Sequence, residues 1–257
     1  MRAWQAVLMA FSMFSRIPVP APKWSEENMR WLLAAFPLVG AAVGLMLMLW
    51  QAACGWLGLS PLVWAAGATL LPLLLTGGIH MDGLADVADA LGSHAAPQRK
   101  REILKDSHIG AFGVMAISGF LLSYFALASQ LAPTAKTAAL LLCSHMLSRT
   151  GSGLCSLCFA STAKEGLLCS FRASAEKRGS VMVLWLWATV CVAGLCALLG
   201  WRGLLPPLGA ACAALYVRRM SVKEFGGMSG DISGFYLQVT ELTTLLIFAA
   251  LEGAGQA

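Results

Sequence analysis

Leu70-Leu71-Pro72-Leu73-Leu74-Leu75-Thr76-Gly77-Gly78-Ile79-His80-Met81-Asp82-Gly83-Leu84-Ala85-Asp86-Val87-Ala88-Asp89 joins the end of a long apolar run to three closely spaced carboxylates. On a helix of 3.6 residues per turn, Asp82, Asp86 and Asp89 fall within about 60° of one another and share one face. At about 6 Å and an effective dielectric of about 20, each like-charged pair costs on the order of 3 kcal/mol. Such a face calls for a counter-charge, and a divalent cation bridging to phosphate is a natural one. Gly77-Gly78 breaks the apolar run and lets a phosphate group approach the backbone. The bland alternative is a solvated amphipathic helix with an acidic polar face. Against it, no lysine stands at i+4 to neutralise the acids.

The composition sets the surroundings of that helix. Of 257 residues, 58% are hydrophobic and 12% charged, against about 25% charged in soluble domains. Apolar runs long enough to cross a hydrocarbon core recur at 36–56, 61–77, 110–131, 136–158, 180–200, 203–218 and 235–252. The sixth, with Pro206-Pro207, fits least well. The chain reads as an all-α polytopic membrane protein of about seven transmembrane helices, with 1–257 forming one membrane-embedded domain. Residues 1–31 read as an interfacial segment. The apolar stretch 3–14 lacks a clear cleavage site and is interrupted by Arg16-Ile17-Pro18-Val19-Pro20, and Trp4 and Trp24 suit headgroup depth.

Charge orients the bundle. With a cytoplasmic N-terminus, fifteen of the 18 Lys and Arg residues fall in inner segments. Only Lys136 and Arg202 lie in outer loops, and Arg149 lies inside a span. This asymmetry is the positive-inside pattern. It places the acidic loop 78–109, and any chemistry, on the cytoplasmic face. The basic residues are accounted for in this way, and no nucleic-acid partner is expected. The eight cysteines are scattered, and Cys155-Ser156-Leu157-Cys158 has no second pair, so they read as small, buried, reduced thiols.

Three further features hold candidate site residues. In 98–113, Arg99, Lys100 and Arg101 read as ordinary inner charge, whereas Lys105-Asp106 adjoins the glycine-marked start of a span and suits a diphosphate. In 225–234, a glycine-rich loop around Gly227 and Asp231 reads equally as a flexible turn or as backbone N–H groups for an anion beside a cation-binding acid. Arg149 and Glu241 lie at membrane depth, where ionisable groups face a polar cavity or one another. His80 and His108 show no ligand spacing and receive no role.

Taken together these segments resemble the cobalamin synthase family, the adenosylcobinamide-GDP ribazoletransferases. The resemblance rests first on Gly77-Gly78-Ile79-His80-Met81-Asp82-Gly83-Leu84-Ala85-Asp86-Val87-Ala88-Asp89-Ala90. It extends to Phe36-Pro37-Leu38-Val39-Gly40, Lys105-Asp106-Ser107-His108-Ile109-Gly110-Ala111-Phe112-Gly113, Ser148-Arg149, and Gly226-Gly227-Met228-Ser229-Gly230-Asp231 with Glu241. The chain departs from the usual pattern at His108, at Ser229 and around Ala163-Lys164-Glu165-Gly166-Leu167.

The resemblance implies an enzyme of the bacterial cytoplasmic (inner) membrane acting late in adenosylcobalamin synthesis. The 3′ hydroxyl of α-ribazole, or of its 5′-phosphate, attacks the cobinamide-side phosphorus of adenosylcobinamide-GDP and GMP leaves. Mg²⁺ is the implied cofactor, with Asp82, Asp86 and Asp89 as ligands and Asp231 completing the site. Asp89 is the expected general base. Lys105, Asp106, Arg149 and Gly227 are expected on the diphosphate side, and Glu241 is expected to orient Arg149 or the substrate. Two other readings compete. One is another membrane phosphotransferase on a nucleotide-diphospho-alcohol, whose usual motif is absent. The other is an ion-coupled transporter, for which no inverted repeat is visible.

Overall fold

A computed structural model describes residues 2–161 and 167–256, and the regular structure among them is helical. In order the α-helices are α1 (Arg2–Phe14), α2 (Glu26–Met29), α3 (Leu32–Leu57), α4 (Pro61–Thr76), α5 (Ile79–Gly92), α6 (Pro97–Ile103), α7 (Ala111–Ala128), α8 (Ala135–Cys158), α9 (Leu167–Ser174), α10 (Lys177–Leu199), α11 (Leu205–Met220) and α12 (Gly230–Gln256). A 3₁₀ turn, Gly200–Leu204, joins α10 to α11, and a π turn, Ser221–Phe225, follows α11.

Local chemistry sets the helix ends that matter for the site. Ser60 caps α4 with its hydroxyl on the Val63 N–H, and Pro61 opens the first turn. The other end of α4 closes at Gly77 (φ 68°), with Gly78 following at φ 80°. Both are left-handed conformations that a side chain would oppose. Together they bend the chain by 93°, so α5 runs across the end of α4 instead of extending it.

The bundle is built around α8, against which α3, α10, α11 and α12 pack. On α3, Gly40 and Gly44 face α8. A Cβ on Gly40 would stand 2.7 Å from the His145 carbonyl carbon, and one on Gly44 2.6 Å from Leu142 Cβ. Small residues four apart permit such close approach, which matters where lipid tails compete with apolar side chains for contact. Enclosure explains why α8 carries Ser144, His145, Ser148, Arg149, Thr150, Ser152 and Ser156 in buried positions.

Four helical stretches are long and apolar enough to cross a membrane: Leu32–Leu57, Ala111–Ala128, Lys177–Phe225 and Gly230–Gly253. The bent pair Pro61–Thr76 and Ile79–Gly92 makes a fifth if taken as one span. Lys177–Phe225 is helical over 49 residues, about 74 Å at 1.5 Å per residue, against a hydrocarbon core of about 30 Å. It is not straight. Gly200 takes φ 63° and Gly203 lies against the Leu195 and Cys196 backbone, so the chain doubles back between α10 and α11.

Three expectations change in detail. The N-terminal segment does not simply lie on lipid: Ala6, Met9 and Ala10 are buried and α1 packs on α3, while Trp4 and Trp24 stay exposed. The basic run of α6 is more than surface charge. Lys100 pairs with Glu224 at 2.5 Å and Arg101 donates to the Phe225 carbonyl at 3.3 Å, tying α6 to the π turn. The cysteines are free thiols; Cys54, Cys155 and Cys191 are buried, whereas Cys158 and Cys212 are exposed, against the expectation of buried thiols throughout.

Candidate active site

The elements meeting at the Gly77-Gly78 bend enclose two adjoining cavities. The larger, about 610 Å³, is bordered by Gly77, Gly78, Asp82, Asp86, Asp106 and Ser107. The smaller, about 220 Å³, is bordered by Asp82, Asp231 and His80 with Phe14, Phe36 and Phe171. Asp82 borders both. Close helix packing brings Asp231 here from the start of α12. Gly83 on α5 has no side chain, and a Cβ there would stand 2.6 Å from the Asp231 carbonyl oxygen.

Asp82, Asp86 and Asp231 have no cation within ion-pair distance among the described residues. Partial burial and the charges of Asp82, Asp231 and Asp89 push the Asp86 carboxyl up to about 7. Mutually repelling carboxylates without a protein counter-ion are the hard oxygen donors that Mg²⁺ takes. No three Asp, Glu, His or Cys side chains form a ready ligand group among the described residues. That still suits Mg²⁺, which keeps waters and is held by one or two carboxylates together with substrate phosphate. The residues fit the ion.

Asp89 stands apart from this set. Its Oδ2 accepts the Gly110 N–H at 2.7 Å and its Oδ1 the Gly113 N–H at 2.8 Å. It therefore caps α7, the role a side-chain oxygen plays at a helix N-terminus. Both oxygens already act as acceptors, which argues against Asp89 as metal ligand or general base.

The remaining expected residues separate. Asp106 borders the large cavity, its carboxyl held below the usual range by hydrogen bonds from the His108 ring and N–H. Lys105 is exposed and borders neither cavity. Gly227 does not present its backbone to the site. Its N–H goes to the Ser221 carbonyl at 2.9 Å, and its α-carbon packs on Ala160 and Ser161. Met228 N–H to the Ala160 carbonyl at 2.8 Å completes that anchor. Lys164 lies outside the described residues.

Arg149 and Glu241 face one another, not a substrate. They form a direct ion pair at 1% and 3% exposure, and neither borders either cavity. His145 Nδ1 lies 2.8 Å from the same Glu241 oxygen and the Ser148 hydroxyl donates to it at 3.2 Å. The pair matches the expectation that Glu241 orients Arg149, and the two belong to a buried network that borders neither cavity. Desolvated charges persist there because each has its partner.

Two neighbours of the site went unassigned in the sequence. Arg16 N–H donates to the Leu75 carbonyl at 2.7 Å, and its Nε lies 2.7 Å from where a Gly77 Cβ would be. Arg16 itself borders neither cavity, but its side chain lies against Gly77, which borders the larger one. Its only sequence signal is a charge interrupting an apolar run. His80 is buried between Phe14 and Phe36, with ring centroids at 6.1 and 5.6 Å, and burial pushes it down to about 3, leaving a neutral ring. Its signal is adjacency to the acids alone.

Comparison with known proteins supplies the chemistry. The family model for cobalamin-5-phosphate synthase matches residues 6–249. The adenosylcobinamide-GDP ribazoletransferase of Lachnoclostridium phytofermentans is 33% identical over 98% of this chain and 96% of its own length. Those of Geobacillus kaustophilus and Clostridium botulinum strain Alaska E43 are 31% and 30% identical, covering 92% and 94% of this chain and 92% and 96% of theirs. No solved structure matches the chain.

Proposed function

Because this chain belongs to the cobalamin-5-phosphate synthase family, we propose that it transfers the adenosylcobinamide phosphate of adenosylcobinamide-GDP to α-ribazole or its 5′-phosphate. A bond forms between the acceptor hydroxyl oxygen and the cobinamide-side phosphorus. The bond to the bridging oxygen breaks, GMP leaves with that oxygen, and the hydroxyl proton passes to a carboxylate. The product is adenosylcobalamin or its 5′-phosphate.

The observation that carries the residue assignment is the pair of carboxylates, Asp82 and Asp86, without counter-ions on the wall of a 610 Å³ cavity. They would hold Mg²⁺, which when bound neutralises charge on the diphosphate. Arg16 stands beside Gly77 to bind phosphate oxygens, and a guanidinium is a strong partner for them. Gly77 and Gly78, whose N–H groups close α4 on the Leu74 and Leu73 carbonyls, border the same cavity without side chains, and Asp106 and Ser107 close it on the α7 side. The transporter reading loses its basis, since its two membrane-depth charges satisfy each other in a buried pair.

For topology we adopt seven crossings, by α3, α4, α7, α8, α10, α11 and α12, with the N-terminus and the site in the cytoplasm of a bacterial inner membrane. The charge asymmetry supports this arrangement. So does the convergence of the site at helix ends that all fall on one side under this count: the end of α4, the start of α7, the end of α8 and the start of α12.

The deciding experiment incubates purified, detergent-solubilised protein with adenosylcobinamide-GDP, ribazole and Mg²⁺. A new corrin product with stoichiometric GMP is expected. Donor hydrolysis with no corrin product would overturn the reading.

A further inference from the structure

The 220 Å³ cavity adjoins the larger one and shares Asp82 with it. Phe14, Phe36 and Phe171 supply aromatic walls, and Met13, Leu33 and Leu168 add aliphatic surface. The serines of its lining are bonded among themselves and to backbone, while Asp82 and Asp231 are not ion-paired among the described residues. The Ser152 hydroxyl donates to the Ser233 carbonyl at 3.1 Å, the Ser156 and Ser233 hydroxyls lie 2.9 Å apart, and the Ser233 hydroxyl donates to the Ser229 carbonyl at 2.9 Å. One buried polar atom of the lining is left without a partner: Nε2 of His80, on a residue 5% exposed.

We propose that this cavity is the subsite for the aromatic base of the acceptor, its flat ring held between the aromatic walls. The inference rests on the transferase reading above. The match is one of chemical inventory. Ribazole's fused benzimidazole is flat and apolar, and the cavity offers three aromatic walls, with the Asp82 and Asp231 carboxylates at its border where the acceptor sugar would follow. The corrin ring is too large for 220 Å³.

The placement also fits the displacement. With the base in the small cavity and the diphosphate in the large one, the acceptor sugar lies at their common border, between Asp82 and Asp231. Asp231 borders only the acceptor side.

The test is steady-state kinetics on the full-length wild type and two variants, with benzimidazole and GMP as inhibitors. Benzimidazole should compete with ribazole and not with adenosylcobinamide-GDP, and GMP should do the reverse. Ser156→Met, which projects into the cavity, should raise the ribazole KM at least tenfold and leave the donor KM within twofold. Phe14→Leu should raise the ribazole KM severalfold with the same selectivity. A donor KM that rises in place of the acceptor KM, two variants with unchanged ribazole KM, or GMP competing with ribazole would overturn the subsite. If neither variant can be purified, the wild-type inhibition pattern decides alone. A wild type that makes no corrin product defeats the transferase reading itself, and is thus distinguishable from failure of the subsite.

Discussion

Asp89 Oδ2 accepts the Gly110 N–H at 2.7 Å, which couples the far end of the acidic helix to the first turn of α7. The neighbouring acids have no such partner. The three carboxylates of one helical face therefore divide into one that supports structure and two that face a cavity. Asp82→Asn and Asp86→Asn should each abolish corrin product formation without lowering the thermal midpoint in detergent. Removing the cap in Asp89→Ala should cost about 1–2 kcal/mol of stability, and the protein that remains folded should keep most of its turnover. Turnover lost in Asp89→Ala at unchanged stability would return Asp89 to the catalytic set.

The raised Asp86 carboxyl gives a signed pH dependence. Its folded pKa, about 7, lies above the ordinary carboxylate value. The protonated form thus contributes stability that is full below about pH 4. That contribution fades as pH rises through about 7 in metal-free protein. Mg²⁺ must displace this proton, so its apparent affinity should climb as pH increases towards 7 and level off above. Calorimetric titration in buffers of different ionisation enthalpy should detect proton release at pH 6 and little at pH 8.5. Asp86→Asn should show release at neither.

The buried network is testable by a mutant cycle. Arg149→Met or Glu241→Gln leaves a desolvated charge without its partner, and each should destabilise the protein by about 3–5 kcal/mol. The double variant Arg149→Met/Glu241→Leu should recover most of that loss, and its donor KM should stay near wild type. A large rise in donor KM in the folded double variant would show that Arg149 meets substrate after all.

The helices were readable from the sequence because their signal is local. Each of the seven apolar runs coincides with a helix, and the glycine pair marks the bend after Thr76. The α5 acids and Asp231 were readable as candidates because carboxylates after apolar runs are costly enough to stand out. What escaped was decided by tertiary partners. Nothing in the sequence around Asp89 announces that amides 21 and 24 residues away will occupy it. Glycine-rich composition at Gly227 is equally compatible with an anion nest and with packing on Ala160, and packing won. Polar density in α8 looks like a channel lining until α3, α10 and α12 are seen to enclose it. Arg16 reaches the site only because α1 folds onto α3, which also sets Phe14 against His80 of α5, a contact with no periodic signature.

Arg16 gives the last prediction, since its position depends on one backbone hydrogen bond and one missing side chain. The Arg16 N–H holds the segment to Leu75, and the bare Gly77 leaves room for the guanidinium. A charge-assisted hydrogen bond contributes about 1.5–3 kcal/mol, so Arg16→Ala should raise the donor KM by about tenfold or more. Arg16→Lys keeps the charge but not the fork, and should recover part of the loss. Gly77→Ala should act in the same direction by displacing the guanidinium and straining a residue at φ 68°. The ribazole KM should stay within about twofold of wild type in all three. Equal rises in both KM values would mean that Arg16 supports the fold of the site instead of binding the diphosphate.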